Sequence, residues 1–251
     1  MHLKNVYSDS YFNNGEEGYP DYFKEREILV EHGSWYAHII NKFMKPGKMF
    51  DVGAAAGFIM LGFQQNGWEC AGLEPNQNMV DFGRNTLKLN LKCGFIESYS
   101  SDEKYDLVTL IQVIGHFFNV ELALENISNI LKNDGLLLVE CWDQGSLAAR
   151  ILGKNWHEYS PPSVINWFTK NNLTQKLKEF GFGLIKIGRP KKQISCQHAM
   201  SLIIYKYRFL RALCAPINKS LKGKDFFITY PPIDIFYAIY KKGISDGAMS
   251  S

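Results

Sequence analysis

Cysteine is scarce in this chain and poorly placed for cross-linking. The five residues, Cys70, Cys93, Cys141, Cys196 and Cys214, are odd in number, and no pair has CxxC spacing. That argues against a disulfide framework or a zinc site and suits a reducing compartment. Long apolar runs are also lacking. None reaches the ~20 residues that a bilayer-spanning helix needs, and Met1-His2-Leu3-Lys4-Asn5 opens without the apolar core of a signal peptide. A soluble, cytoplasmic protein is expected. Charge of one sign is lacking too. The 28 Lys and Arg against 25 Asp and Glu leave +3, too little to mark a nucleic-acid binder by itself. No internal repeat or low-complexity tract occurs.

What is present is apolar material for a core. Hydrophobic residues make up 46% of 251 positions and charged ones 21%, which fits one large α/β domain with an embellishment and excludes global disorder. Residues 1–22 are rich in Tyr, Asn and Gly and read as a loop-like lead. A helical pattern then runs from Asp21 to about Met44, with Ile28, His32, Trp35, Ile39 and Phe43 on one face. Pro46-Gly47 ends it.

Strands and helices alternate from there. Strands are predicted over 48–52, 70–73, 92–96, 105–111 and 136–141, and helices over 57–65, 77–89 and 120–131. The strands are continuously apolar, as burial on both faces requires. The pattern predicts an α/β, doubly wound fold, a mostly parallel sheet with helices on both faces. A helix over 171–180 and strands over 183–188 and 233–240 complete it. The expected organisation is a lead and helix over 1–45, a core over 46–189 and 233–242, a basic insertion over 190–232 with a helix near 199–213, and a disordered tail over 243–251.

The chemistry centres on Phe50-Asp51-Val52-Gly53-Ala54-Ala55-Ala56-Gly57-Phe58. A buried strand runs into a turn of small residues and then a helix. Gly53 lets the backbone turn sharply, and the helix start offers free N–H groups. Such loops cradle nucleotides at the carboxyl ends of strands. Glu74, at the end of the next strand, falls 21 residues after Gly53, where an acid can accept both ribose hydroxyls of an adenosine. Two cofactor classes compete. A dinucleotide site wants G-x-G-x-x-G, whose middle glycine admits a pyrophosphate. Here that position is Ala55. S-adenosylmethionine carries no phosphate and accepts a methyl group there more easily.

With these residues the chain resembles the class I S-adenosylmethionine-dependent methyltransferases, in particular the group acting on small molecules and cell-surface saccharides. Their pattern D-[VI]-G-x-G-x-G is matched by Asp51-Val52-Gly53 and Gly57, the acid by Glu74, and F-D-x-[VI] by Tyr105-Asp106-Leu107-Val108. V-L-E-H is matched by Val113-Ile114-Gly115-His116, and L-K-P-G-G by Leu131-Lys132-Asn133-Asp134-Gly135. P-P-x-H-x-x-x-F-[ST] is matched by Pro161-Pro162-Ser163-Val164-Ile165-Asn166-Trp167-Phe168-Thr169, and L-L-x-x-x-G-F by 177–182. Three departures stand out: Ala55 for the middle glycine, Gly115 for the usual Glu, and Val164 for the usual His.

The resemblance implies a seven-stranded Rossmann-like sheet with a helical lid insertion before the last strand, S-adenosylmethionine as methyl donor, and no resident metal. It places Gly53, Ala54, Ala55 and Gly57 around the methionine and ribose parts of the donor. Asp51 orders the loop or meets the donor's amino group, and Glu74 takes the ribose hydroxyls. Pro75 and Met79 lie beside the adenine, with Ile96 and Glu97 at its edge. Ile111 and Gln112 border the methionine tail. Glu97 also reads as a solvated loop acid. Transfer from a sulfonium is an in-line displacement, so the protein mainly aligns groups and excludes water. A base is needed only where the nucleophile must lose a proton. His116 is the candidate, and a hydrogen-bonded histidine at a helix start is the plainer alternative. His157 reads as an acceptor-lining or surface residue, and Tyr11, Tyr19 and Tyr22 as a lid or as packing.

Between Lys186 and Lys224 stand ten Lys or Arg and no Asp or Glu. Such a face suits an anionic acceptor, such as a nucleotide sugar or a lipid-linked saccharide, or peripheral contact with an anionic membrane. It also reads as a plain solvated face. No RNA-binding signature occurs, and no nucleic-acid partner is expected. The leading expectation is a methyltransferase for a small molecule or saccharide, with oxygen as the methylated atom. The alternatives are a non-catalytic methyltransferase-like binding module and, further off, a nicotinamide-dependent oxidoreductase.

Overall fold

The computed structural model describes residues 22–195, 227–230 and 233–243. A 3₁₀ turn, Tyr22–Glu25, leads into α1 (Arg26–Ile40). Five strands and three helices follow: β1 (Lys48–Val52), α2 (Phe58–Gln64), β2 (Glu69–Glu74), α3 (Gln77–Asn85), β3 (Asn90–Cys93), β4 (Tyr105–Ile111), α4 (Val120–Ile130) and β5 (Leu131–Trp142). Then come α5 (Leu147–Leu152), α6 (Lys170–Glu179), β6 (Phe182–Gly188), β7 (Lys192–Ser195), β8 (Phe227–Tyr230) and β9 (Ile235–Lys242). Side chains cap four of these six helices. Asn76 caps α3 by accepting from Met79 N, Asn119 caps α4, Ser146 caps α5, and Thr169 with Asn172 forms a capping box on α6.

The seven-stranded sheet runs β3-β2-β1-β4-β5-β9-β6. Only β9 is antiparallel to its neighbours, β5 and β6. Alternate side chains along each strand explain why helices cover both faces. Phe50, Val108 and Leu137 pack in a cluster with Leu124 and Ile127 of α4 and Leu173 and Leu177 of α6. Met49, Leu107 and Leu138 pack in a second cluster with Tyr36 and Ile40 of α1 and Met60 and Phe63 of α2. Helices α1 and α2 cross at glycines. A Cβ on Gly33 would stand 2.2 Å from the Ile59 oxygen, and one on Gly62 would stand 2.2 Å from the Val30 oxygen.

Several expected boundaries move. The helix expected to reach Met44 ends at Ile40, and its buried side is Gly33, Tyr36, Ala37, Ile39 and Ile40. Phe43, expected on that side, is 41% exposed. The third strand lies earlier, at Asn90–Cys93, and Ile96 sits in a 3₁₀ turn, Ile96–Ser98. Asn133-Asp134-Gly135, expected to be the stop after a helix, lies inside β5. There the pairing with β4 shifts register between Tyr105 and Leu107, and Asp134 takes φ +63°. That is the signature of a bulge.

Residues Lys191–Pro232 form a second compact unit. Within it β7 and β8 pair antiparallel. The helix expected near 199–213, Tyr11, Tyr19 and the tail from 244 onward lie outside the described residues. No helix of the described residues is long and apolar enough to cross a membrane.

Candidate functional site

The carboxyl ends of β1, β2 and β4 lie side by side, because β1 pairs parallel with both others. This edge is where a doubly wound sheet offers its crevice. The turn after β1 is held tightly. Gly53 N and Ala54 N both donate to the Leu73 oxygen, at 2.8 and 3.1 Å, and Gly57 N donates to the Ala54 oxygen at 2.8 Å. Gly53 and Gly57 take φ of +73° and +89°. A Cβ on Gly53 would come within 2.3 Å of Val113 Cγ1, so only glycine fits. Ala55 is left-handed as well, at φ +46°. The residue that replaces the family's glycine thus keeps a glycine conformation, at a cost of about 1 kcal/mol.

Two buried carboxylates sit under this turn. Glu74 accepts from Ala55 N at 2.8 Å through Oε2 and from Asn76 N at 2.9 Å through Oε1. Asp51 accepts from the Thr109 hydroxyl at 2.5 Å. Burial pushes both acids up to about 7. The hydrogen bonds to each pull the other way, and Glu74 raises Asp51 further. Two acids in a dry crevice, uncomfortable as anions, suit a ligand bearing positive charge and hydroxyl donors. S-adenosylmethionine carries a sulfonium, an ammonium and two ribose hydroxyls, so these residues fit it.

The remaining expected residues surround the same edge. Met79 is buried, packing with Tyr22, Ala56 and Phe58, and the Tyr22 ring stacks on Phe58 at 5.1 Å. Pro75 is half-buried beside it. Ile96 is buried, and Glu97 is no free loop acid, since its Oε1 accepts from Phe118 N at 3.0 Å. Ile111 is partly buried. Gln112 takes φ +58°. His116 lies at the end of a 3₁₀ turn after β4, with Nδ1 donating to the Ser163 oxygen at 2.8 Å. Burial lowers its pKa, against the pull of backbone oxygens of Ser163 and Gln112. A ring between two backbone carbonyls ties the post-β4 loop to the 163–168 segment. His157 lies against Trp142 and Trp156 and 3.7 Å from Asp234.

Beside this edge lies a second feature, of which sequence reasoning named Gln112 and Gly115 but neither acid. A narrow cleft opens between the ends of β4 and β5 and the 158–168 segment, walled by Gln112, Glu140, Trp142, Glu158, Asn166 and Trp167. Glu140 is fully buried. It accepts from His32 Nε2 at 2.7 Å, from the Tyr36 hydroxyl, and from Gln112 Nε2 at 2.6 Å. The one available signal was an acid inside the apolar run Leu136–Cys141. His32 read as a core position of α1, and Glu158 gave no signal at all.

Comparison with known proteins identifies the family and the fold. The model of a methyltransferase domain matches residues 30–187. The ubiquinone biosynthesis O-methyltransferase of Rickettsia typhi is 23% identical over 212 residues, covering 76% of this chain and 84% of that one. For several other relatives of that name the match spans 58–64% of their length. A methyltransferase structure from Archaeoglobus fulgidus superposes with a TM-score of 0.59 at 19% identity, covering 88% of this chain and 98% of that one. The Burkholderia thailandensis 1,6-didemethyltoxoflavin-N1-methyltransferase, solved with S-adenosylhomocysteine, gives 0.60 at 12%, covering 96% and 88%.

Proposed function

The chain belongs to the methyltransferase-domain family, as an S-adenosylmethionine-dependent enzyme, and on that premise we propose that it methylates an oxygen of a small molecule. The observation carrying the donor half is the pair of buried acids, Asp51 and Glu74, tied into the Gly53–Gly57 turn. Oxygen is supported by the name of the Rickettsia relative.

S-adenosylmethionine supplies a methyl carbon already activated by the positive sulfur. The chain's residues bind, orient and dry. Gly53, Ala54, Ala55 and Gly57 let backbone approach the ligand closely. Glu74 offers its remaining lone pairs to ribose hydroxyls, held in place by two N–H donors. Asp51 meets the positive charge. Pro75, Met79, Ile96 and Glu97 take the adenine, and Ile111 and Gln112 the methionine part. Burial of these groups excludes water, which strengthens every charge contact made there. In this reading His116 serves by clamping the post-β4 loop rather than by moving a proton.

The acceptor stands in the cleft beyond Gln112. Its walls include Trp142 and Trp167, which suit a flat ring. A saccharide is a second reading, since the same indole faces pack sugar C–H groups. Peripheral membrane contact rests on the basic segment, whose members Lys186, Arg189 and Lys191 are exposed.

Incubation with methyl-labelled donor and a panel of phenols, amines and nucleotide sugars tests the reading. Label in a methyl ether is expected. Label only in amines refutes oxygen. Donor binding by calorimetry with no transfer to any acceptor favours the non-catalytic module, and binding of a nicotinamide dinucleotide instead favours the oxidoreductase.

A further inference from the structure

Beyond the donor loop the chain leaves its family's pattern at Gly115 and Val164, and the fold sets those two positions side by side. A Cβ on Gly115 would lie 3.0 Å from the Asn166 oxygen, 3.4 Å from Val164 Cγ1 and 4.0 Å from Glu158 Oε1. The pattern's acid and histidine are therefore both missing from one spot, and a carboxylate from another segment reaches it. We propose that Glu158 is a catalytic residue of this enzyme, accepting the hydrogen bond of the acceptor's hydroxyl, taking its proton, and selecting against acceptors with negative charge. This rests on the reading of oxygen as the methylated atom.

Position, rigidity and charge support it. Glu158 lines the cleft together with Gln112 and Glu140, at the end of β4. Its backbone is pinned, because Trp167 Nε1 donates to the Glu158 oxygen at 2.9 Å and the Tyr159 ring stacks on Trp167 at 5.0 Å. Across the cleft, Ile165 N and Asn166 N both donate to the Gly115 oxygen at 3.0 Å. The segment carrying Glu158 is thus fastened to the post-β4 loop, and a side chain at position 115 would press on the Asn166 oxygen. Among the described residues lining the cleft, no Lys or Arg occurs. Burial first, then Glu158, Asp143 and Glu140, hold the neighbouring Cys141 thiol well above the usual thiol range. An anionic acceptor, expected from the basic segment, meets repulsion here.

The step balances among the acceptor, Glu158 and the methyl donor. The acceptor's O–H bond breaks and the proton passes to the carboxylate. The oxygen's electron pair would form the O–C bond as the donor's S–C bond breaks, that pair returning to sulfur in the departing neutral thioether, and the proton later leaves to water.

The test compares wild type, Glu158→Gln and Glu158→Asp with three probes: catechol (neutral), dopamine (cationic) and 3,4-dihydroxybenzoate (anionic). Wild type should use catechol and dopamine about tenfold better in kcat/KM than the anion. Glu158→Gln should lose about 100-fold in kcat on catechol and most of the charge preference. Its donor affinity by calorimetry and its urea midpoint should stay at wild-type values. Glu158→Asp should recover part of the rate. A Glu158→Gln enzyme with kcat near wild type, or a wild type preferring 3,4-dihydroxybenzoate, overturns the proposal. If wild type methylates none of the three, the proton-taking role on a phenolic hydroxyl falls, while the oxygen reading itself is judged by the wider panel of phenols and nucleotide sugars. Tryptophan fluorescence titrations with the same probes then decide the selecting role. Tighter dopamine binding that Glu158→Gln abolishes upholds that role, while equal or absent binding overturns it.

Discussion

Replacing Asp51 with asparagine should stabilise the donor-free protein near neutral pH while weakening its hold on the donor. Asp51 is 3% exposed, and burial lifts its carboxyl from 3.8 to about 7. A folded-state pKa above the unfolded one means that the folded protein keeps a proton the unfolded chain has already released. The stability contributed by that proton is complete below about pH 4 and is lost as pH rises through about 7. At its steepest the loss approaches about 1.4 kcal/mol per pH unit, and it amounts to ~2 kcal/mol between about pH 5 and about pH 7. Asparagine cannot ionise, yet it keeps an oxygen for the Thr109 hydroxyl. The unfolding free energy of the variant minus that of wild type should therefore rise by ~2 kcal/mol over that window. Glu74 and His116 titrate in both proteins and largely cancel in the difference. Urea melts across the window, without donor, measure the effect, and calorimetry with donor reads the binding cost. Parallel pH curves for the two proteins would refute the reasoning, because they would mean that ionising Asp51 in the crevice costs nothing.

Two further substitutions test the packing that holds the site. Tyr36→Phe removes a buried donor to Glu140 and should cost about 1.5–3 kcal/mol in urea melts; a change under about 0.5 kcal/mol would show that the Glu140 network bears no weight. Gly33→Ala places a Cβ against the Ile59 oxygen. It should cost about 1–3 kcal/mol by forcing α1 and α2 apart, and unchanged thermal stability would contradict the close helix crossing.

The turn after β1 and its two acids were readable because their signals are local. A buried strand, a small-residue turn, a helix start and an acid one strand later lie within Asp51–Glu74, and strand and helix periodicities placed them at one sheet edge. Locality also explains the errors. Asn133-Asp134-Gly135 has the composition of a helix stop and is used as a bulge, because pairing with β4 outweighs the local turn preference. Phe43 continued the spacing of α1, but the helix ends before it.

The sequence by itself determined the class of fold, the course of the parallel strands and the small-residue turn after β1, since each follows from neighbours along the chain. Only the tertiary structure decided the cleft walled by Gln112, Glu140 and Glu158. Glu140 meets His32 across 108 positions, and Gly115, Val164 and Glu158 come together because two segments far apart in sequence are hydrogen-bonded across one cleft. Such contacts leave no periodicity to read, because the fold's geometry alone brings them into reach.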